Sequence, residues 1–531
     1  MATVTVSRQM SQVEMRAGAP AAVGPAGAAA GRRVAGLVQG RDPWLFVVLV
    51  VGALLAVWFC RRGPALSPDS MNYLSAAASL RSGHYLQVDG APMSVFPPGL
   101  PALLALGELV GLSGRAAGAV VVVASYAVLA AATFLLVRRA TGSRIAGALC
   151  ALAGLAMPST QRVAQWVWSE PLYLALSVVI LVLAVRLRSD PDGVARAGWL
   201  GGCVAAAFLA RYEGFLWAAV AVVVAVRPLA LVRRDPVEWK RLGLLVVTMA
   251  VAPVLWVLRD VVVTGRPFGP RPRAAASVSD LLGQERHTVR LWFDPQGWVS
   301  SPVHVTIALV LGFLILLGAV LAPRVQRIAI LATLLALVAF LVVITESSHE
   351  TATDPLDFRL MAPAAPLLVV TLVLGGHAVL RRLPRLPRLV TGTLAAVGLL
   401  ALAGVDFGAV PPPPGPGAGV SVDTGVRAWV ASRPTACERY LSNNPHAMYR
   451  ATGMRVPVTP ASHEHQSLDV NLAPRQALVA AAQRPGTCVI QFEKPDIERF
   501  SADQLKALVA LVPVAQVGSD EVFLARPRSG R

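Results

Sequence analysis

The chain has 531 residues, of which 55% are hydrophobic and only 15% charged. So few charges cannot clothe a water-facing surface of this size, where about a quarter of residues are normally charged, and the apolar content excludes intrinsic disorder. The net charge of +18 would suit a nucleic-acid binder, but the arginines fall between apolar runs of membrane-spanning length and read as orientation signals.

Residues 1–41 are rich in Ala, Gly and Pro and predict a disordered cytoplasmic tail. The first long apolar run begins only at Trp44, which is too far along for a signal peptide. Runs of about 20 apolar residues suit a membrane span. They predict eleven transmembrane helices, at 44–60, 117–137, 144–160, 170–187, 197–210, 214–232, 242–262, 302–322, 328–345, 360–380 and 389–405. A further apolar stretch, Pro98–Gly114, is short, opens on Pro-Pro-Gly and carries Glu108. If it does not cross, the basic clusters around Arg41, Arg139, Arg188, Arg233, Arg327 and Arg382 all fall on one side, which the positive-inside rule makes cytoplasmic. It is therefore read as a juxtamembrane or re-entrant helix.

That topology places a different set of residues on the opposite, outer side. They are Asp69 in the loop 61–97, Glu170 at the start of the fourth span, the Arg211-Tyr212-Glu213 turn, the loop 263–301, and the stretch from Glu346 to Arg359. Trp44, Trp166, Trp168, Trp199, Trp217, Trp256 and Trp298 lie near span ends and predict an interfacial aromatic belt.

Residues 406–422 form a Pro/Gly linker. Beyond it, 423–531 alternate short strand-like and helix-like segments, which predicts a small α/β domain, extracytoplasmic by the parity of eleven spans. The segment 501–512 reads as its last helix. Cys437 and Cys488 each open a predicted strand; in an oxidising compartment they can pair, and two separate thiols are the alternative. His463-Glu464-His465 has no further ligands nearby and reads as a polar loop. No glycine-rich stretch follows a strand and opens a helix, so there is no nucleotide loop.

The first outer loop carries Asp69-Ser70-x-x-Tyr73-Leu74, then Leu80-x-x-Gly83-His84-Tyr85, then Phe96-Pro-Pro-Gly-Leu-Pro-x-Leu-Leu-Ala-Leu106. Together with Ser169-Glu170-Pro171-Leu172, Arg211-Tyr212-Glu213-Gly214 and Phe358-Arg359-Leu360 through Pro366, this order resembles the GT-C superfamily of polytopic glycosyltransferases. The branch it resembles is that of protein O-mannosyltransferases and aminoarabinose transferases, over roughly residues 42–405. The resemblance implies a polyprenyl-phosphate-linked sugar donor, a glycan, lipid or protein acceptor, and a site at the outer membrane face. It also implies Asp69 as the general base; read from its position alone, Asp69 either caps the helix it opens or favours that helix N-terminus by its charge. Many members carry a second acidic residue beside that aspartate. Here the neighbours are Pro68 and Ser70, so no metal ligand is assigned and a divalent metal stays open.

The chemistry needs these residue types. An acceptor hydroxyl must lose a proton as it attacks, and a carboxylate within hydrogen-bond reach can take it. A single displacement inverts the anomeric centre. The departing lipid phosphate gathers charge, which cations stabilise; Arg211 and Arg359 are the candidates, with Arg271, Arg273 and Arg290 behind them, and the alternative for Arg211 and Arg359 is that they snorkel to lipid headgroups. Glu170 either contacts a sugar hydroxyl, orients an arginine, or merely favours its helix N-terminus. Glu213 is either functional or bridged to Arg211. His84 either binds donor or acceptor, or is a solvated loop residue. The alternative function is a flippase or transporter of a lipid-linked sugar, which would place ionisable residues near mid-membrane in interrupted helices. A scaffold that displays the C-terminal domain would leave Asp69 dispensable.

Overall fold

The computed structural model describes residues 42–382, apart from 62, 89–90, 190–192, 270, 272–273, 275, 295–300 and 352–354, and, of the C-terminal region, chiefly 424–432, 437–444, 486–492 and 509–526. The N-terminal tail, the span expected at 389–405, the linker and His463–His465 lie outside the described residues.

Every span expected up to residue 380 falls on helix. In chain order these are α1 (Pro43–Phe59), then α2 (Pro68–Arg81) and α3 (Gly99–Leu109), then α4 (Gly114–Thr141), α5 (Arg144–Ala156), α6 (Pro158–Ala164), α7 (Glu170–Ser189) and α8 (Val194–Ala210). After a 3-10 turn at Tyr212–Phe215 come α9 (Leu216–Ala225), α10 (Pro228–Val232), α11 (Pro236–Thr264), α12 (Val278–Phe293), α13 (Ser301–Leu321), α14 (Arg324–Glu350) and α15 (Ala364–Leu380). Of these, α4, α7, α11, α13 and α14 are long and apolar enough to cross a membrane. The 11 residues of α3 span only about 16 Å, well short of a bilayer core of about 30 Å.

Two expected single spans are broken by proline. Met157 takes an extended conformation before Pro158, as a residue preceding proline prefers, so 144–160 divides into α5 and α6. Likewise Val226 and Arg227 are extended before Pro228, which ends α9. These breaks matter for the site, because α6 turns the chain so that Trp166, Trp168 and Glu170 arrive together.

The bundle is built around α4, which packs on α1, α5 and α7, while α8 lies along both α7 and α11. Gly201 permits the α8–α11 approach: a Cβ there would stand 2.6 Å from the Leu245 carbonyl oxygen. One end of the bundle gathers arginines around acceptors. Glu238, 1% exposed, takes Arg227 at 2.9 Å and Arg241 at 2.7 Å, and Asp42 takes Arg138 and Arg144. The other end, where α7 starts and α8 stops, carries the candidate site.

Between α2 and α3 a short β1 (Gln87–Val88) pairs antiparallel with β2 (Ala91–Pro92); in the C-terminal region, β3 (Arg439–Ser442), β4 (Thr487–Gln491), β5 (Ala510–Val517) and β6 (Asp520–Arg526) form a sheet in the order β3-β4-β6-β5. Only β3 and β4 are parallel. A helix, α16 (Thr424–Ser432), precedes the sheet. Cys437 and Cys488 form a disulfide with Cα atoms 5.6 Å apart. The helix expected over 501–512 is overturned at its end. Ala510 already opens a strand, because Leu511, Val512 and Ala515 pair with β6 through a tight turn at Gly518 and Ser519.

Candidate active site

The site begins with the N-terminus of α2. Ser67 caps it: its hydroxyl accepts from the Ser70 N–H at 3.2 Å, and the Ser70 hydroxyl accepts from the Ser67 N–H at 3.0 Å. This reciprocal capping box satisfies two donors that a helix start leaves open and fixes Asp69 in the first turn. The Asp69 side chain keeps 24% of its surface open.

Across 290 residues of chain, the Arg359 guanidinium donates to the Asp69 carboxylate. The same guanidinium donates from Nε to Glu170 Oε1 at 2.8 Å. Glu170 is the first residue of α7 and is fully buried. Its Oε1 also accepts from Arg211 at 2.6 Å, and Arg211 reaches Glu213 at 3.2 Å. Five of the six expected site residues thus form one chain of ion pairs, Asp69, Arg359, Glu170, Arg211 and Glu213. Three carboxylates face two guanidinium groups, and Glu170 Oε2 is buried with no hydrogen-bond partner among the described residues. His84 is not brought in. It is exposed in the turn after α2, with Nδ1 3.1 Å from the Ser82 hydroxyl.

The charges govern one another. Burial alone would push the Arg211 guanidinium down, but the Glu170 and Glu213 carboxylates outweigh it and hold Arg211 above the ordinary arginine range. Tyr73, one turn along α2 from Asp69, is 2% exposed. Its phenol is raised by burial and then by the charges of Asp69 and Glu170, so it stays neutral, with its hydroxyl 3.3 Å from that of Ser169.

Local structure explains how each side chain is held. Arg211 and Glu213 sit on the 3-10 turn that closes α8. Gly214 lets that turn fold against α8, since a Cβ there would collide with the backbone of Ala207 and Phe208. Tyr212, between them, is pinned by its hydroxyl, which lies 2.8 Å from the Ser94 carbonyl and 2.9 Å from Asp260 Oδ2 and accepts from Trp256 Nε1 at 3.0 Å. Arg359 lies in the turn before α15. Asp357 Oδ1 accepts from the Arg359 N–H at 2.8 Å. The amphipathic helix α12 secures the same turn from the side: Gln284 accepts from the Leu356 N–H at 2.9 Å, and Thr288 donates to the Leu356 carbonyl at 2.7 Å.

Trp168 lies under Arg359, with the guanidinium carbon 4.2 Å from the ring centroid. The belt expected for the tryptophans is corrected here. Trp44 and Trp199 are exposed at 41% and 72%, but Trp217 is fully buried and Trp168 is 7% exposed. Trp217 donates to the Tyr173 hydroxyl at 3.0 Å. Trp298 lies outside the described residues. The Asp260–Tyr212 contact and the role of α12 were also not foreseen. The one signal for Trp168 was its place two residues before Glu170. Among the described residues, no group of three or more His, Cys, Asp or Glu side chains is gathered to hold a metal ion.

The fold is that of the GT-C glycosyltransferases. The chain is similar to ArnT from Cupriavidus metallidurans in a structure bound to undecaprenyl phosphate: TM-score 0.59, 17% identity, 92% of this chain and 99% of that one. It is similar to the arabinofuranosyltransferase AftD from Mycobacteria (TM-score 0.54, 17% identity), where the match covers 92% of this chain but 40% of AftD. It is also similar to the Archaeoglobus fulgidus oligosaccharyltransferase (TM-score 0.50, 15% identity, 84% of this chain and 67% of that one). At these identities the likeness is one of fold. No family model and no curated protein matches the sequence.

Proposed function

We propose that the chain is a membrane glycosyltransferase that moves a sugar from a polyprenyl-phosphate donor to an acceptor hydroxyl at the outer membrane face. The N-terminus is then cytoplasmic and the C-terminal domain, 423–531, extracytoplasmic. The observation that carries this reading is the partly open Asp69 carboxylate standing at the end of a buried ion-pair chain, at one end of a GT-C bundle. The neighbour bound to undecaprenyl phosphate supports a lipid phosphate as the carrier. The mannosyltransferase and aminoarabinose transferase branch is a finer expectation that rests on the motifs alone.

In this reading Asp69 accepts the proton of the acceptor hydroxyl as its oxygen attacks the anomeric carbon. The bond from that carbon to the phosphate oxygen breaks, and the lipid phosphate leaves with the electron pair. One base and one displacement give inversion. Arg211 and Arg359 offset the charge on the leaving phosphate. Glu170 and Glu213 hold those arginines in place or meet a sugar hydroxyl. A general base contributes about a hundred- to ten-thousandfold to rate, so Asp69→Asn, which keeps the size and removes the basicity, should lose about that much transfer with normal expression. A lipid inventory of a deletion strain tests the function itself. It should show an unused polyprenyl-phosphate sugar on the outer leaflet and an underglycosylated acceptor. A lipid-linked sugar accumulating only on the inner leaflet would instead mark a flippase.

A further inference from the structure

Trp168 touches Arg359 on one side of the Asp69–Arg359 contact and the helix cap beside Asp69 on the other, by different parts of its ring. The indole Nε1–H donates to the Ser67 hydroxyl at 2.6 Å, the same hydroxyl that caps α2 two residues before Asp69. One face of the indole lies under the Arg359 guanidinium at 4.2 Å. The other stacks on Trp166, with ring centroids 4.9 Å apart and planes 7° from parallel. The backbone in between is also tied down, because Ala65 N–H donates to the Gln165 carbonyl at 2.7 Å and Val167 N–H to the Ala65 carbonyl at 3.1 Å. The segment carrying Trp168 is therefore bonded to the one that leads into α2.

We infer that Trp168 is a positioning residue for the base: it sets where the Asp69 carboxylate and the Arg359 guanidinium meet. Two separate forces are involved. The Nε1–H bond orients Ser67, and through the cap the first turn of α2. The ring face attracts the guanidinium, an interaction of planar cation and aromatic quadrupole that strengthens as water is excluded. Trp166 backs the ring and prevents it from tilting. Arg359 pairs with Asp69, and the Tyr73 phenol one turn along α2 feels the Asp69 charge. Among the described residues Arg359 is the group that pairs with Asp69, so Trp168 acts through Arg359.

Replacement by Leu fills much of the volume but offers neither a π face nor a donor. Replacement by Phe restores the π face alone. With the guanidinium released, the Asp69 carboxylate is no longer covered by its cation and stands open to reagents in solution. The catalytic consequence rests on the function proposed above, but the state of Asp69 does not. The first measurement is therefore the rate of Asp69 labelling by a water-soluble carbodiimide at fixed pH, which reports how openly the carboxyl stands, read by mass spectrometry of the Asp69 peptide. The expected result is labelling roughly fivefold faster in Trp168→Leu than in wild type, as loss of the cation–π contact frees the guanidinium, with Trp168→Phe close to wild type. Trp168→Met serves if the leucine protein does not accumulate. The second measurement is turnover with a polyprenyl-phosphate sugar. Here kcat should fall about tenfold or more in Trp168→Leu with donor KM nearly unchanged, and Phe should recover part of it. Equal labelling in wild type, Leu and Phe variants overturns the inference, as does a loss confined to KM. If wild type shows no transfer while the labelling still separates Leu from Phe, the functional reading fails and the positioning role stands.

Discussion

Arg359 Nε lies 2.8 Å from Glu170 Oε1 although 189 residues of chain separate them. This contact joins the turn before α15 to the start of α7, and Arg211 meets the same oxygen from the end of α8 at 2.6 Å. One fully buried carboxylate therefore holds three parts of the bundle. Removing one partner from a buried ion pair leaves the other charge uncompensated and costs about 3–5 kcal/mol. Glu170→Ala should lose stability on that scale, seen as early unfolding in detergent or nanodiscs. Glu170→Gln keeps the size and one acceptor, and should lose less. An alanine variant as stable as wild type would mean that Arg211 and Arg359 find other acceptors.

The Gly214 position makes a sharper prediction, because it separates geometry from charge. A methyl group there meets backbone atoms of Ala207 and Phe208, which cannot swing aside as a flexible side chain would. The 3-10 turn must move outward and take Arg211 and Glu213 with it. Gly214→Ala should therefore reduce transfer by at least about tenfold, at a cost of about 1–3 kcal/mol in stability. Gly202, where a Cβ has open space, is the control: Gly202→Ala should be near neutral on both measures.

The sequence made Asp69, Glu170, Arg211, Glu213 and Arg359 visible because charges are scarce in an apolar chain. Positive-inside counting then put all five at the same end of the spans. Their mutual contacts were not legible, because helix periodicity fixes a residue's height along a span but not which neighbour faces it. Trp168 was misread for a related reason. A tryptophan at a span end suits an interface equally well whether it faces lipid or lies under an arginine. Pro158 and Pro228 marked the two breaks, but the apolar runs around them were long enough to read as single spans. The strand at Ala510 was not readable, since Leu-Val-Pro-Val is decided by its pairing with β6 rather than by local preference.

Helix α12 carries Glu285 against α14, 9% exposed, with the Thr345 hydroxyl 2.5 Å from Oε1. That hydroxyl also lies 2.8 Å from the Leu341 carbonyl. It has one hydrogen, so if it serves Leu341 the carboxyl must be the donor. Burial pushes the Glu285 carboxyl up, with the Thr345 bond opposing. A carboxyl raised on folding contributes stability below its unfolded pKa of about 4.3 and loses it as pH climbs through the folded value. Glu285→Gln is neutral at every pH. It should therefore unfold later than wild type at about pH 8, with the gap closing toward about pH 5, in thermal melts across that range. A gap that widens on acidification would show that Glu285 is held as the anion.

The disulfide tests the C-terminal sheet and the side of the membrane on which it lies. Cys437 and Cys488 are 51 residues apart in sequence, and a closed loop of that size restricts the unfolded chain by about 4 kcal/mol. The bridge also ties the segment entering β3 to the second residue of β4, its parallel neighbour. Parallel pairing of these strands closes a long loop before any ladder bond repays it. Cys437→Ser with Cys488→Ser should lower the stability of the isolated sheet region's unfolding transition by about 2–4 kcal/mol and raise its sensitivity to protease, without touching the ion-pair chain of the bundle. Peptide mapping of the native membrane protein without reductant should recover the two cysteines in one linked peptide. Free thiols at both positions, alkylated before lysis only by a reagent that crosses the membrane, would place the sheet on the cytoplasmic side and overturn the outward orientation of the C-terminal domain.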